Sequence, residues 1–371
     1  MEDIYVGGNN TPRNTFAENP EDIYISQQGY RRQQNIEQPL PENYYGYDGG
    51  NQLPDDEPPK KKPKKRKSKI RRAIKSIFLI LVLLAGMGTA LIYHTFSKVN
   101  YNETGHGNNV YLDRSKLMQS DKVKNILLIG VDRRNEDENS RSDTMLLLSI
   151  NTETKKILLT SFMRDSYVHI PGHKDAKLNA ACTWGGAQLV MDTIEYNFNI
   201  KIDNYMLIDF AIFESVVDGL DGIEVEVTEK EAKYMRDAVH LSDIEAGESV
   251  ELDGEEALWY CRIRKLDSDF MRTKRQRKVM TAIIDKCTKT NPLKMYEILS
   301  SVIDEVETDM SAAKLTGISI NALLRYLHYD IEQGSVPEKD TWENAKVNGQ
   351  SVLRIDLGEN IDYLKEFIYE Q

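Results

Sequence analysis

Three aspartates and three arginines, Asp132, Arg134, Arg141, Asp143, Arg164 and Asp165, lie within one stretch of the sequence. A guanidinium is a planar fork that pairs with two phosphate oxygens at once and stays charged at any physiological pH. Carboxylates that would repel each other can share a divalent cation that also bridges phosphate oxygens. Together these residue types suit a ligand with several negative charges, and magnesium or manganese matches carboxylate, water and phosphate better than zinc does. Other chemistries lack their residues. The sequence has no Gly-rich phosphate loop, no H-E-x-x-H and no Ser-His-Asp order. His169 and His173 lack a third ligand, and the three cysteines, Cys182, Cys261 and Cys287, form no C-x-x-C pair.

Strands that end together would bring these charges to one place. An apolar run from Asn125 to Val131 ends at Asp132. A second run, Met145 to Ile150, opens after Arg141-Ser142-Asp143-Thr144, and a third, Lys156 to Met163, ends at Arg164-Asp165. If the three run up, down and up, the end of the first, the start of the second and the end of the third share one sheet edge. Beyond them the sequence predicts a helix from Gly185 to Phe198, a strand from Asn204 to Ile208, a helix from Phe210 to Leu220 and a strand from Ile223 to Val227. Strands and helices alternate, so the fold expected is α/β, a single mixed-sheet domain covered by helices.

A second group of cations follows. Asp253 to Leu258 reads as a short capped helix leading into Trp259-Tyr260-Cys261-Arg262-Ile263-Arg264. In an extended chain Tyr260, Arg262 and Arg264 share one face and Trp259, Cys261 and Ile263 the other. On a helix the two arginines would lie about 200° apart, so the extended form is expected. A long helix then spans Phe270 to Lys286, with Asp269, Arg272 and Gln276 on one stripe. A solvated helix face accounts for Arg272, Lys274, Arg275 and Arg277 without any function. From Asn291 on, two helices, a returning strand at Ser351 to Asp356 and a final helix at Glu359 to Tyr369 complete the chain.

The attachments lie at the N-terminal side. Residues 1–59 are rich in Asn, Gln, Pro, Gly and Tyr without an apolar period, and are expected to be disordered. From Lys60 to Lys75 the charge is almost wholly positive, and Ile77 to Phe96 then runs uncharged for a length that crosses a hydrocarbon core. A basic run against such a span is a topology signal that also meets anionic membrane lipids. It lacks the aromatic interleaving of a nucleic-acid patch, and no nucleic-acid partner is expected. Four parts follow: a cytoplasmic tail over 1–75, a signal anchor over 76–96, a linker over 97–122 and one extracellular domain over 123–371. Residues 1–75 hold 14 of the 48 basic and 11 of the 59 acidic side chains, so the remainder is more acidic than the whole, whose net charge is −11. Anion binding there must come from local arginine clusters, against the overall field.

Several motifs in order resemble the LytR-CpsA-Psr family of bacterial cell-wall enzymes. They are Gly130-x-Asp132-x-Arg134, Arg141-Ser142-Asp143-Thr144, Ser161-Phe-Met-Arg164-Asp165, Lys177-Leu-Asn179-Ala-Ala, Gly185-Gly186, Arg262-x-Arg264 and Asp267-Ser-Asp-Phe-x-Arg272-x-x-Arg275-Gln276. The resemblance implies a magnesium-assisted transferase outside the membrane of a Gram-positive bacterium. It would move an anionic glycopolymer, of teichoic acid or capsular polysaccharide type, from a polyprenyl-pyrophosphate carrier to peptidoglycan. Asp132 and Asp143 become the metal and acid-base carboxylates, and Arg164, Arg262 and Arg264 the pyrophosphate clamp. Arg134, Arg141, Asn179, Arg272, Arg275 and Gln276 assist in substrate binding. Two alternatives have the same site. Water in place of the wall hydroxyl would make the domain a polyprenyl-pyrophosphate hydrolase, and loss of turnover would leave a membrane-anchored regulator. Phe162-Met163 replaces the family's usual Pro before Arg164-Asp165, and Cys182 stands where an aromatic is common, which changes the pocket's shape and none of its charges.

Overall fold

The computed structural model of the chain describes residues 67–103, 111–131, 142–241 and 244–370. Residues 1–59, expected to be disordered, lie outside them, and the last part of the expected tail, 67–75, is helical and continuous with the anchor. Helix α1 (Lys67–Phe96) opens the described chain, followed by strands β1 (Asn100–Tyr101), β2 (Val123–Val131), β3 (Ser142–Asn151), β4 (Lys156–Phe162), β5 (Tyr167–Val168) and β6 (Ala176–Lys177). Next come α2 (Ala180–Phe198), β7 (Asn204–Ile208), α3 (Phe210–Gly219), β8 (Ile223–Val227), α4 (Glu229–Val239), β9 (Gly247–Leu252), α5 (Gly254–Arg262), α6 (Asp269–Lys289) and α7 (Pro292–Val302). The chain ends with β10 (Glu307–Thr308), α8 (Ala312–Leu324), β11 (Asp330–Val336), β12 (Trp342–Val347), β13 (Gln350–Ile355) and α9 (Leu357–Tyr369).

A seven-stranded mixed sheet in the order β1-β10-β7-β2-β3-β4-β11 forms the centre. Strands β2, β3 and β4 run up, down and up, with Gly130 opposite Thr144 and Leu146 opposite Ser161. Strand β7 is parallel to β2, and β11 is parallel to β4. The apolar runs are nearly continuous because both faces of the sheet are covered. Leu127, Ile129, Met145 and Leu147 pack under α2 and α9, whereas Ile126, Leu128, Leu146 and Leu148 face clusters fed by α3, α6, α7 and α8. The fold is therefore the α/β mixed sheet covered by helices that the sequence implied.

Within α1, Ile74–Phe96 has a mean hydropathy of 2.3 and is long and apolar enough to cross a membrane. Its last turn belongs to the folded body. Phe96 is buried with Val302, Ile303 and Leu315, and Thr95 Oγ1 donates to the Tyr296 hydroxyl at 3.1 Å. Strand β1, inside the expected linker, pairs with β10.

A small lobe beside the sheet joins β8, β9, α4, α5 and the middle of α6 around Val225, Ala232, Leu252, Tyr260 and Ile263. Both of its first two helices start on capping boxes, Thr228 with Glu231 and Asp253 with Glu256, which satisfy orphan N–H groups reciprocally. The box at Asp253 was legible, but α5 runs further than the sequence suggested. It continues to Arg262 because Ala257, Tyr260 and Cys261 all bury in the lobe, with the Tyr260 hydroxyl donating to Glu226 O at 3.2 Å. The extended reading of 259–264, with Tyr260 beside the two arginines, is corrected accordingly.

Candidate functional site

Strand ends meet as the sequence required. Asp143, the second residue of β3, and Arg164, just past β4, form an ion pair with Nη1 to Oδ1 at 2.7 Å. Asp132, Arg134 and Arg141 lie outside the described residues. Arg264 reaches the same carboxylate oxygen with Nη2 at 3.0 Å, although Arg262 belongs to a helix. The reason is the break at Ile263, where ψ moves to 120° and the helix stops between the two arginines. Their opposed helical directions are thereby undone, and both line one cavity. Arg262 lies over the rings of Phe210 and Trp259, 4.7 and 4.8 Å from their centroids.

The N-terminus of α6 supplies the rest. Ser268 caps it by accepting from Met271 N, and Asp269 in the first turn pairs with Arg272 at 2.8 Å. Arg272 is only 2% exposed, and its Nη2 donates to the backbone oxygen of Asp143 at 3.3 Å. Asp269 also stands 3.5 Å from Arg164 Nη2. The Nε atoms of Arg164 and Arg272 are buried without a hydrogen-bond acceptor among the described residues. A buried donor left unmade costs about 1–3 kcal/mol, and with Asp165 no nearer than 3.7 Å to Arg164 Nε the cluster can take more anion than the described residues provide.

Electrostatics agree. Burial disfavours the charge of Asp143, but the Arg264, Arg164 and Arg272 guanidiniums outweigh it and hold its pKa below the usual carboxylate value. Burial pushes Arg272 down to about 10, helped by Arg164 and Arg264 and opposed by Asp269. Asp143 and Arg272 are both charged at neutral pH. A carboxylate whose pKa is lowered is a weaker base and stays an anion to pair with guanidiniums and cations.

Behind the arginines lies a cavity of about 420 Å³. Its floor is Leu128, Gly130, Thr144 and Leu146 of the sheet, and its walls are Phe210 and Phe213 of α3, Leu258 and Trp259 of α5, and Gln276, Val279 and Met280 of α6. Apart from its arginine and aspartate rim the lining is mostly apolar. That volume falls within the ~300–1,000 Å³ typical of small-molecule sites. The sequence pointed to Gln276 but not to the aromatic wall, whose sequence signal is the i, i+3 spacing of Phe210 and Phe213 in the helix expected from Phe210 to Leu220.

Two expected contributors stand elsewhere. Arg275 is 3% exposed and commits its whole guanidinium to the protein: Nε to Glu231 Oε1 at 2.6 Å, Nη1 to Ile263 O at 3.1 Å, and Nη2 to Asp267. It ties the segment carrying Arg264 to α4 and does not face the cavity. Asn179 precedes α2 and is buried, with its N–H bonded to Arg164 O at 3.2 Å. It lines a different cavity. Asp165 pairs with Lys177 at 2.7 Å.

Comparison with known proteins completes the description. A family model described as the LytR_cpsA_psr family matches residues 90–365. The polyisoprenyl-teichoic acid–peptidoglycan teichoic acid transferase TagU of Enterococcus faecalis is 34% identical over 77% of this chain and 95% of its own. A solved structure of TagT bound to LIIa-WTA aligns with a TM-score of 0.60 at 26% identity, over 72% of this chain and 99% of that one. Another, of the LytR-CPS2A-psr family protein YwtF (TagT) with bound octaprenyl pyrophosphate lipid, aligns with a TM-score of 0.55 at 25% identity, over 73% and 99%.

Proposed function

The chain belongs to the LytR-CpsA-Psr family, and we propose that it transfers a teichoic acid type polymer from a polyprenyl-diphosphate carrier to peptidoglycan. One observation carries this reading: an apolar cavity of about 420 Å³ whose rim holds Asp143, Arg264 and Arg272, with Arg164 paired to the Asp143 carboxylate. A long hydrocarbon joined to a diphosphate has that division of character. Each buried methylene contributes about 0.8 kcal/mol, so the cavity supplies affinity while the arginines fix the reacting phosphorus. Relatives bearing the transferase name, and the TagT structure with octaprenyl pyrophosphate, support the same assignment.

In the proposed reaction an acceptor hydroxyl oxygen bonds to the phosphorus attached to the polymer. The bond from that phosphorus to the bridging oxygen breaks, and polyprenyl phosphate leaves while the hydroxyl proton is released. Arg164 and Arg264 exchange their shared carboxylate oxygen for phosphate oxygens and neutralise the charge that moves onto the leaving group. Arg262, resting over Phe210 and Trp259, is near enough to the same rim to take a third position. Of the two carboxylates expected to divide metal binding and proton transfer, the depressed Asp143 fits metal binding. Its Oδ1 meets both arginines, and one carboxylate together with a diphosphate is a common setting for magnesium. Bound there with Asp132 as the expected second ligand, magnesium would neutralise phosphate charge.

The apolar span preceded by basic residues would hold the enzyme at the bilayer that contains its donor, with the tail in the cytoplasm and the domain outside. The test is to incubate the full-length protein in vesicles with a polyprenyl-diphosphate-linked polymer and peptidoglycan fragments. Polymer joined to peptidoglycan, lost on chelation and restored by magnesium, is the expected product. Release of free polymer phosphate at the same rate with and without acceptor would make the protein a hydrolase instead.

A further inference from the structure

A second cavity, of about 490 Å³, is linked to the clamp by both backbone and side chains. On one side Leu178 N–H donates to Ser166 O at 2.9 Å and Asn179 N–H to Arg164 O at 3.2 Å. On the other, Leu353 N–H donates to Asp165 O at 2.9 Å. Both walls therefore hang from residues 164–166, the segment that presents the clamp arginine. Lys177, which lines the cavity, bonds to Asp165 at 2.7 Å.

Its lining differs from that of the first cavity. Tyr167, Asn179, Thr183 and Trp184 face the turn of the β12–β13 hairpin, with Asn348 and Gln350. Among the described residues none of its lining side chains is an arginine. Few charges are present: Lys177 is paired with Asp165, Asp175 bonds to the His169 ring at 2.8 Å, and Lys174 has no ion pair among the described residues. A polyanion would find little here, because net positive charge and guanidinium forks are what bind it. What remains is a flat aromatic face among amides and hydroxyls. Trp184 is 36% exposed, large for that residue type, and the hydroxyl of Thr183 is buried without a partner among the described residues. The backbone keeps Trp184 there. Helix α2 breaks immediately after it at Gly185 and Gly186, the latter at φ +63°, and a Cβ on Gly185 would stand 2.7 Å from Leu189 Cβ. His173 supports the indole with ring centroids 5.1 Å apart.

We propose that this groove seats the acceptor, an uncharged N-acetylhexosamine glycan strand, with Trp184 as the stacking face and Asn348 and Gln350 as a hydrogen-bonding rim. The inference rests on the transfer reading above, in which a hydroxyl must approach the diphosphate from outside the lipid cavity. Donor and acceptor then lie on opposite sides of Arg164, one chosen by charge and hydrocarbon and the other by amides and a ring.

The experiment uses the full-length protein, its Trp184→Ala variant and, on the exposed hairpin turn, Gln350→Ala. Binding of an N-acetylglucosamine tetramer is measured calorimetrically without donor, and KM values for donor and for peptidoglycan fragments are measured separately. Trp184→Ala is expected to weaken the tetramer and raise the acceptor KM by about tenfold or more, with the donor KM unchanged. Gln350→Ala should weaken the tetramer about threefold by loss of one rim contact, and carries the test if Trp184→Ala fails to melt cooperatively. A tetramer that binds wild type and variants equally, or does not bind wild type, overturns the proposal. Tetramer binding that depends on Trp184 without any transfer sustains the groove as a glycan site and refutes the transfer reading instead.

Discussion

Arg164 and Arg264 at the cavity rim and Arg275 eleven residues further along the chain from Arg264 are chemically identical side chains in opposite situations. The rim arginines share one oxygen of Asp143, Arg164 has Asp165 and Asp269 only at the longer distances of 3.7 and 3.5 Å, and the side chain of Arg264 is 45% exposed. Arg275 is closed in by Glu231, Asp267 and the carbonyl of Ile263. An underpartnered guanidinium can take up a phosphate, whereas a saturated one can only hold the protein together. Charge alone therefore does not mark function here; the ratio of donors to acceptors does.

The largest effect expected from breaking that contrast is on stability. Removing one partner of a buried pair leaves the other charge without compensation, so Arg275→Met should destabilise the fold by about 3–5 kcal/mol, read by chemical denaturation. The pH dependence supplies a sign. Burial disfavours the Glu231 carboxylate, but its bonds from Arg275 and Thr228 hold its pKa below the usual value. A depressed carboxylate contributes stability that is fully present above its unfolded pKa and lost as pH falls through the folded one. Wild type should accordingly lose stability with acid below about pH 4.5, and Arg275→Met should lose less over the same range. An unchanged denaturation midpoint would mean that Arg275 is no tie.

The reverse profile is expected at the rim. Asp143→Asn keeps the shape and deletes the charge that holds Arg164 and Arg264 in register. Transfer should fall by about 10²–10³, the range for loss of one preorganised electrostatic group, while the melting temperature moves little because the site is partly solvated. If melting falls as far as in Arg275→Met, Asp143 is structural and the contrast between the two regions disappears.

This contrast also marks the limit of what the sequence could convey. Strand periodicity, the run of apolar residues at β2 and β3 and the positions of Asp143 and Arg164 at strand ends followed from local pattern, and the ion pair between them follows from antiparallel register. Whether Arg272, Arg275 and Arg277 are solvated did not follow. All three are buried, and only Lys274 among the four cations is on the surface. Their burial is decided by distant parts of the chain: Arg275 meets Glu231 of the lobe, 44 residues away in sequence, Arg272 meets the Asp143 carbonyl of β3, and Arg277 lies toward Tyr363 of α9. The same nonlocality hid the end of α5. Propensity favours a strand through Trp259-Tyr260-Cys261, but the capping box upstream and the burial of Tyr260 sustain the helix. Strands β9, β11 and β12 were likewise not foreseen; β11 is an edge strand whose place depends on pairing with β4.

A finer test separates charge from geometry at the rim. Arg264→Lys keeps a cation but loses the fork, so turnover should drop about ten- to a hundredfold, equivalent to about 1.5–3 kcal/mol for one charge-assisted bond. Arg262→Lys should cost less, because an ammonium can still rest over Phe210 and Trp259. Equal turnover for wild type and Arg264→Lys would reduce the clamp to a diffuse positive field.

That last possibility has its own control, and it is the smallest effect expected. Lys274 sits one residue before Arg275 on α6 and is exposed, so Lys274→Ala removes a charge near the site without touching its geometry. The chain carries a net charge of −11, so every cation near the site also weakens a field that repels an anionic polymer. Were that field dominant, Lys274→Ala would slow transfer, and raising the ionic strength would shrink the difference between variant and wild type, since exposed charges are screened within about 8 Å at physiological salt. If bidentate contact dominates, Lys274→Ala should stay within about 0.5 kcal/mol of wild type in both stability and turnover. Measuring Lys274→Ala and Arg264→Lys side by side at low and physiological salt therefore decides whether the arginines act by position or by sign. Loss in Arg264→Lys alone, insensitive to salt, is the expected result.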